Sequence, residues 1–428
     1  MDSGSPAKFH IAICGGGIAG FTLASFLSKA SAVSVSVYEA KAEVRAIGAG
    51  IAVWKRYWDI LDEVHSISQD CYQFGIKPPN WSSIRGPVLR KSDHLVTAHD
   101  FFGLTFGPHV LPRAVLLEFL SSKLNPATCT VHTSKHLRAY AASSSEVTLH
   151  FSDGTTATAD LLIGADGVHS RVRKTLFAGD SFYGEPRFSG QFAYRMSCPK
   201  EMLPPEHIGL SGFKIWCGTG RHVTSNSMGE QIQITAYDNI PADHRRAFDG
   251  AWVADVPASE ISRFFEGWEP DLVSLLGATE RASRWAIHVV EPLPTFVGAR
   301  TALVGDAAHA MTPHQGLGGG QGMEDAFILW KLLAHPVAQK ENLEAVLRVY
   351  DDIRRPFAQS VAERSLKNGF IYGFLLPGYK EKTEEEIGIE LGQSCEWLME
   401  DGGCEAEWER AEKMLIHTVA VVENRSLS

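Results

Sequence analysis

Apolar residues recur along the chain in two rhythms. Residues 8–14 (KFHIAIC) and 33–38 (VSVSVY) are short strand-type runs, and 21–28 (FTLASFLS) between them carries its apolar residues at helical spacing. The stretch 109–124 (HVLPRAVLLEFLSSKL) predicts a helix opened by Pro112, with Arg113 in its first turn. Residues 147–151 and 155–158 flank Asp153-Gly154 and predict a hairpin. A strand from Asp160 runs into Gly164-Ala165-Asp166-Gly167, and a short helix bearing Arg171 and Arg173 begins near Ser170. From about 183 to 285 strands dominate, at 191–196, 212–217 and 231–237. A buried strand then ends in the acidic turn Val304-Gly305-Asp306, followed by a glycine-dense loop and a helix over about 323–333. The stretch 346–368 reads as a helix that Pro356 ends or kinks, and the acidic tail 380–428 is helix-prone.

This order predicts an α/β protein. A discontinuous nucleotide-binding domain takes 1–182 and 286–370, a mainly β substrate domain is inserted at 183–285, and a helical segment covers 371–428. The chain has 428 residues, 44% hydrophobic and 21% charged, enough for a full core. Its net charge of −10 argues against nucleic acid or an anionic membrane as partner. No apolar run nears the roughly 20 residues that span a bilayer. Residues 1–6 show no secretion signal, so a cytoplasmic location is expected. The 7 cysteines are scattered with no Cys-x-x-Cys pair, which suggests neither a disulfide framework nor a zinc site; no metal is expected.

Candidate chemistry gathers at the turns. Gly15-Gly16-Gly17-Ile18-Ala19-Gly20 follows one strand and opens a helix, and Glu39 ends the next strand. In a dinucleotide-binding unit Gly15 permits the turn, Gly17 lets a pyrophosphate approach and Gly20 lets helix meet strand; the acid receives ribose hydroxyls. The loop 45–52 (RAIGAGIA), with Gly50 and Ala52, is a second small-residue turn. Arg113 opposes a helix dipole unless a ligand anion or hydroxyl answers it. Asp166 and Gly167 form a turn of ligand-facing type at a strand's carboxyl end. Between Gly316 and Gly322 five of seven residues are glycine, so something flat and partly anionic is expected against that backbone and the following helix N-terminus. Arg195 interrupts an apolar strand, which suits a partly buried anion anchor.

Together the glycine fingerprint with Glu39, the GADG turn and the GDAAH loop resemble the single-component FAD-dependent aromatic hydroxylases, over roughly residues 8–370. The run AHAMTPHQGLGGGQGMEDA looks closest to their salicylate-hydroxylase branch. The resemblance implies FAD with its pyrophosphate at Gly15, Gly17 and Gly20 and its ribose at Glu39. It also implies a flavin lined by Gly50 and Ala52, a ribityl–phosphate contact at Arg113, and Asp166 and Gly167 in the turn linked to FAD and the nicotinamide cofactor. Asp306 would hold the ribityl chain, while Pro313, Gly316, Gly318 and Gly319 would run beside the ring. NADH or NADPH would be the transient reductant, and O2 would hydroxylate a phenolic, salicylate-like substrate through a flavin C4a-hydroperoxide, with or without decarboxylation. Arg195 would bind the substrate's anionic group and His314 would assist phenol deprotonation, while His309 would satisfy loop backbone. The assembly would be a monomer or homodimer.

One departure stands out. Relatives often carry a Tyr-Pro pair where Thr224-Ser225-Asn226-Ser227-Met228 follows Gly218-Thr219-Gly220-Arg221-His222 here, so Asn226 replaces that tyrosine. Tyr237 compensates only if it faces inward. A flavin halogenase is disfavoured because Gly267-Trp268-Glu269-Pro270 lacks the paired tryptophans, and a membrane-bound epoxidase because no transmembrane tail is present. A hydroxylase of a larger secondary metabolite and a non-catalytic FAD-binding redox protein are the competing readings.

Overall fold

The computed structural model describes residues 8–30, 33–44, 50–239, 248–379 and 381–426. A six-stranded sheet runs in the order Val297–Gly298, Thr301–Leu303, Leu161–Gly164, Phe9–Cys14, Val33–Tyr38, Cys129–His132. All its pairings are parallel except the edge hairpin of the first two. Its central strands are buried on both faces, which is why they read as unbroken apolar runs rather than alternating ones. The α-helices Ile18–Leu27 and Gly318–Ala334 approach closely. A Cβ placed on Gly322 or Gly305 would lie 2.9 Å from that of Ala19, so both glycines are required by the protein's own packing.

The second large sheet has eight strands, ordered Val253–Pro257, Arg281–Val289, Arg187–Pro199, Gln231–Asn239, Arg221–Met228, Phe213–Gly218, Val88–Lys91, His99–Gly103. It draws its last two strands from 88–103, a stretch the sequence pattern assigns to the nucleotide-binding part. Its outer face covers a core built on Trp216, Phe265 and Leu272. The helix Glu384–Gln393 presses Gly388 against Phe102 at the far edge, where a Cβ would lie 2.3 Å from that ring.

Several elements differ from expectation. Residues 109–112 are not helical: His109–Pro112 is a strand paired with Gly50–Val53, and the helix is Arg113–Ser122. Burial of Leu111 in that ladder wins over helical spacing. Pro356 does not end its helix, which runs Leu343–Tyr372. The missing N–H costs on the order of 3 kcal/mol, and apolar packing on both sides, from Tyr350 to Val361, offsets it. The late helix begins at Gly318, five residues before the expected Met323, so Gly318, Gly319 and Gly320 form its first turn instead of a loop.

Candidate active site

The first turn is built by backbone demands. Gly15 has φ +110° and a Cβ there would lie 2.2 Å from the Ala165 carbonyl oxygen; on Gly20 it would lie 2.0 Å from the Gly15 oxygen. Gly17 differs: nothing lies within 4 Å of its Cβ position. It precedes a helix that no side chain caps, so its N-terminal N–H groups face open space. Glu39 stands beside it, accepting the Gly16 N–H at 2.7 Å and the Lys41 N–H at 2.9 Å. An uncapped helix start with room for a ligand and an adjacent carboxylate suits a pyrophosphate and a ribose.

Asp166 works within its own turn. Its carboxylate accepts from the Ser170 hydroxyl at 2.5 Å and from the N–H groups of Arg171 and Val172 at 2.7 and 3.2 Å. Gly167, at φ +77°, supplies the left-handed residue. The fully buried Arg173 joins this turn to the late loop, donating to the carbonyls of Val168, Ala307 and Gly184.

The GDAAH loop is pinned from beneath by a buried ionic network. Asp325 Oδ2 accepts the Gly305 N–H at 2.8 Å and bonds His309 Nε2 at 2.6 Å. His309 therefore engages a carboxylate, where the expectation was loop backbone. Arg354, fully buried, donates to Asp325 at 2.9 Å, to Glu324 at 2.7 Å and to the Gln321 side chain at 2.8 Å. Arg56 donates to the other Glu324 oxygen at 2.9 Å. Burial alone would raise the Asp325 carboxyl, but His309 and Arg354 outweigh it and hold it down at about 2. This network leaves Asp306 exposed, close to Gly318: a Cβ on that glycine would lie 3.7 Å from Asp306 Oδ1.

The other glycines of the run divide by task. Gly316 has φ +67°, Gly319 packs under Ile51, and Gly320 faces Tyr57, whose ring would lie 1.9 Å from a Cβ. Most of this glycine density thus serves the protein's own packing, and Gly318, with no atom closer than 3.7 Å, is where room remains. No side chain caps the helix there. The residues present fit a flavin nucleotide, with phosphates at the first helix and a ring at the second.

A cavity of about 340 Å³ lies between the eight-stranded sheet and the segments 50–54, 104–113 and 313–316. Gly50, Ala52, Arg113, Pro313, His314 and Gly316 line it, together with Arg195, Asn226 and Tyr237 of the eight-stranded sheet. Residues 45–49 of the small-residue loop lie outside the described residues. Tyr237 faces inward, and burial pushes its phenol up to about 12 although the Arg195 guanidinium pulls it down. Arg195 is exposed, not partly buried as expected, with its guanidinium 4.6 Å from the Trp285 ring centroid. Its strand alternates, and the position opens onto the cavity instead of the core. Arg113 is half-buried, and among the described residues neither arginine pairs with a carboxylate.

His314 is buried, which lowers its imidazole to about 3, so it is neutral at ordinary pH and weaker as a base than a free histidine. Its Nε2 bonds Gln191 Oε1 at 2.9 Å. Trp54 Nε1, His314 Nδ1 and Gln315 Oε1, all on cavity-lining residues, are buried without a partner among the described residues. Trp54, Tyr372, Leu391 and Cys395 also line the cavity. None stands out in the sequence, because the contacts come from distant segments; only Gln191, a lone amide opening an apolar strand, left a trace.

A family model described as an FAD binding domain matches residues 8–365. A salicylate hydroxylase of Pseudomonas putida is 31% identical, covering 93% of each chain. A 6-methylsalicylate 1-monooxygenase of Aspergillus terreus is 29% identical, covering 84% of this chain and 82% of the other. A solved salicylate hydroxylase substrate complex superimposes with TM-score 0.83 at 31% identity, covering 96% of this chain and 98% of that one. The chain therefore belongs to the FAD-binding-domain family of flavin-dependent aromatic monooxygenases.

Proposed function

We propose that this enzyme hydroxylates a small phenolic acid of the salicylate type at the carbon bearing the carboxylate, releasing CO2. The observation that carries the reading is one cavity lined by Arg195, Tyr237 and His314 together with Pro313, Gly316 and Arg113. A volume of about 340 Å³ lies at the small end of ligand sites, and part of it borders the residues assigned to the flavin ring, so what is left favours one substituted ring over a larger metabolite. Arg195, free of any carboxylate among the described residues, anchors the substrate carboxylate. Tyr237 stays a neutral phenol and donates or accepts near the ring, taking the place left by Asn226. His314, neutral and weakly basic, accepts a hydrogen bond from the ring hydroxyl and orients it, a lesser task than removing its proton outright.

Gly15, Gly17 and Gly20 hold the FAD pyrophosphate and Glu39 its ribose. Arg113 and Asp306 would reach the ribityl chain, and Gly50, Ala52, Pro313, Gly316 and Gly318 would border the ring, whereas Gly319 is taken up by packing under Ile51. Asp166 and Gly167 act indirectly, by shaping the turn that Arg173 ties to the GDAAH loop. Bound FAD, reduced by NADH or NADPH, supplies the electrons and the oxygen activation. The helix starting at Gly318, whose N-terminus no side chain caps, would stabilise negative charge on a ring bound beside it. The apolar wall from Trp54, Leu89, Ile215 and Leu391 excludes water.

Purified protein is expected to be yellow, with bands near roughly 370 and 450 nm from bound flavin. It should oxidise NADH or NADPH with salicylate and yield catechol. A colourless protein that FAD does not reconstitute would sink the reading, and so would oxidation of the reductant with no aromatic product across a panel of hydroxybenzoates.

A further inference from the structure

Asn239, Gln191 and His314 form a hydrogen-bonded chain whose direction is set from one end. The Gly220 carbonyl can only accept, so the group that Asn239 turns to it, at 2.9 Å, is its NH2. Asn239 Oδ1 therefore accepts from Gln191 Nε2 at 2.7 Å. That leaves Gln191 Oε1 facing His314 Nε2 at 2.9 Å, and an oxygen acceptor there requires the proton on Nε2. A neutral imidazole has one ring proton, so Nδ1 carries a bare lone pair, buried and without a partner among the described residues.

The backbone prepares this arrangement. Pairing between Arg187–Pro199 and Arg281–Val289 shifts between Phe188 and Phe192, and Gly190 inside the shift has φ +81°. Such an irregularity re-aims a side chain, and Gln191 is left fully buried against the late loop. Gly369 presses on the same Nε2–Cδ2 edge, where a Cβ would lie 2.3 Å from His314 Cδ2 and 2.4 Å from Nε2. Nδ1 thus lies on the side of the ring away from the long helix. The rings of His222 and Tyr237, with centroids 5.0 and 4.9 Å from that of His314, complete its surroundings.

We propose that Gln191, oriented by Asn239, is a positioning residue that fixes His314 as the Nε2–H tautomer and so presents Nδ1 as the acceptor for the substrate's ring hydroxyl. The identity of that donor rests on the salicylate-like reading above; the tautomer rests on the hydrogen-bond chain alone.

Nitrogen-15 NMR of histidine-labelled holoenzyme without substrate decides the tautomer, with the His314 signals identified by their loss in His314→Gln. The expected pattern is a protonated Nε2 and an unprotonated Nδ1. Gln191→Met should give a mixture of tautomers, whereas Gln191→Glu, whose carboxylate also accepts, should restore Nε2–H. A wild-type His314 protonated on Nδ1 overturns the proposal, and that result does not depend on the variants folding.

Calorimetric titration with salicylate and benzoate then tests the acceptor. Wild type should prefer salicylate by about tenfold or more, since a site built to bond a hydroxyl rejects the analogue lacking it. In Gln191→Met that preference should collapse while benzoate affinity holds. An unchanged preference overturns the positioning role. If wild type binds neither probe, the salicylate-like reading fails, and the NMR pattern still settles what Gln191 does to His314.

Discussion

The polar groups beneath the GDAAH loop and those above the cavity solve opposite problems. Beneath the loop, Arg354 and Arg56 meet Glu324 and Asp325 in a buried network that also takes in His309, Gln321 and the Gly305 N–H. Above the cavity, Gly220, Asn239, Gln191 and His314 form a neutral chain that ends in a lone pair without a partner among the described residues, and Arg195, which pairs with no carboxylate among them, lines the same cavity. Charge is spent where the fold must hold a loop in one place. Unsatisfied capacity is kept where a substrate must arrive. Substitutions in the first region should therefore be felt as stability, and in the second as binding.

The largest effect is expected from Arg354→Met. It removes the cation shared by two buried carboxylates, leaving Glu324 to Arg56 and Asp325 to His309, and should cost about 3–5 kcal/mol, read as a collapse of the thermal midpoint or as insoluble protein. A variant of near wild-type stability would erase the contrast between the regions.

Next comes the pair Gly20→Ala and Gly17→Ala. The first places a Cβ 2.0 Å from the Gly15 oxygen and should destabilise the apoprotein; the second enters open space. Gly17→Ala should leave the apoprotein's melting within about 0.5 kcal/mol of wild type, yet weaken FAD binding measured by fluorescence titration. Equal behaviour of the two would remove Gly17 from the phosphate site.

Arg195→Ala should raise the salicylate Kd by about tenfold, a loss of about 1.4 kcal/mol, with melting unchanged because the side chain is exposed. If salicylate binds equally well, the anchor lies elsewhere.

The most gradual effect, spread over several pH units, concerns acid. Burial lowers His65 and His314 to about 3, and drives His222 well below its ordinary value. Between about pH 6.5 and 3 the unfolded chain binds protons that the folded one refuses, so their contribution is whole above about 6.5 and is lost as pH falls through that window. His65→Gln, away from both sites, should flatten the pH dependence of denaturant midpoints by up to about 1.4 kcal/mol per pH unit. A profile as steep as wild type would contradict the assignment.

What was legible in the sequence follows the same division. The fingerprint at Gly15–Gly20 and the acid at Glu39 could be read because a tight turn and a strand end impose local demands on contiguous residues. The glycine run was only half legible: Gly319, Gly320 and Gly322 answer to Ile51, Tyr57 and Ala19, which come from distant segments. For the same reason nothing local marked Arg354 as the centre of a network or Pro356 as tolerable within a helix. On the cavity side, Tyr237 could be named but its facing could not. Arg195 lines the cavity but is exposed where partial burial was expected, since alternation along a strand does not tell which face meets solvent.

The central claim is that this cavity hydroxylates a salicylate-type ring, and the most direct test is turnover of salicylate under 18O2 with NADH or NADPH. Salicylic acid, the reduced nicotinamide, a proton and O2 should give catechol, CO2, the oxidised nicotinamide and water. Mass spectrometry should find one labelled oxygen atom in each catechol. Unlabelled salicylate recovered beside hydrogen peroxide, with all the reductant consumed, would contradict it.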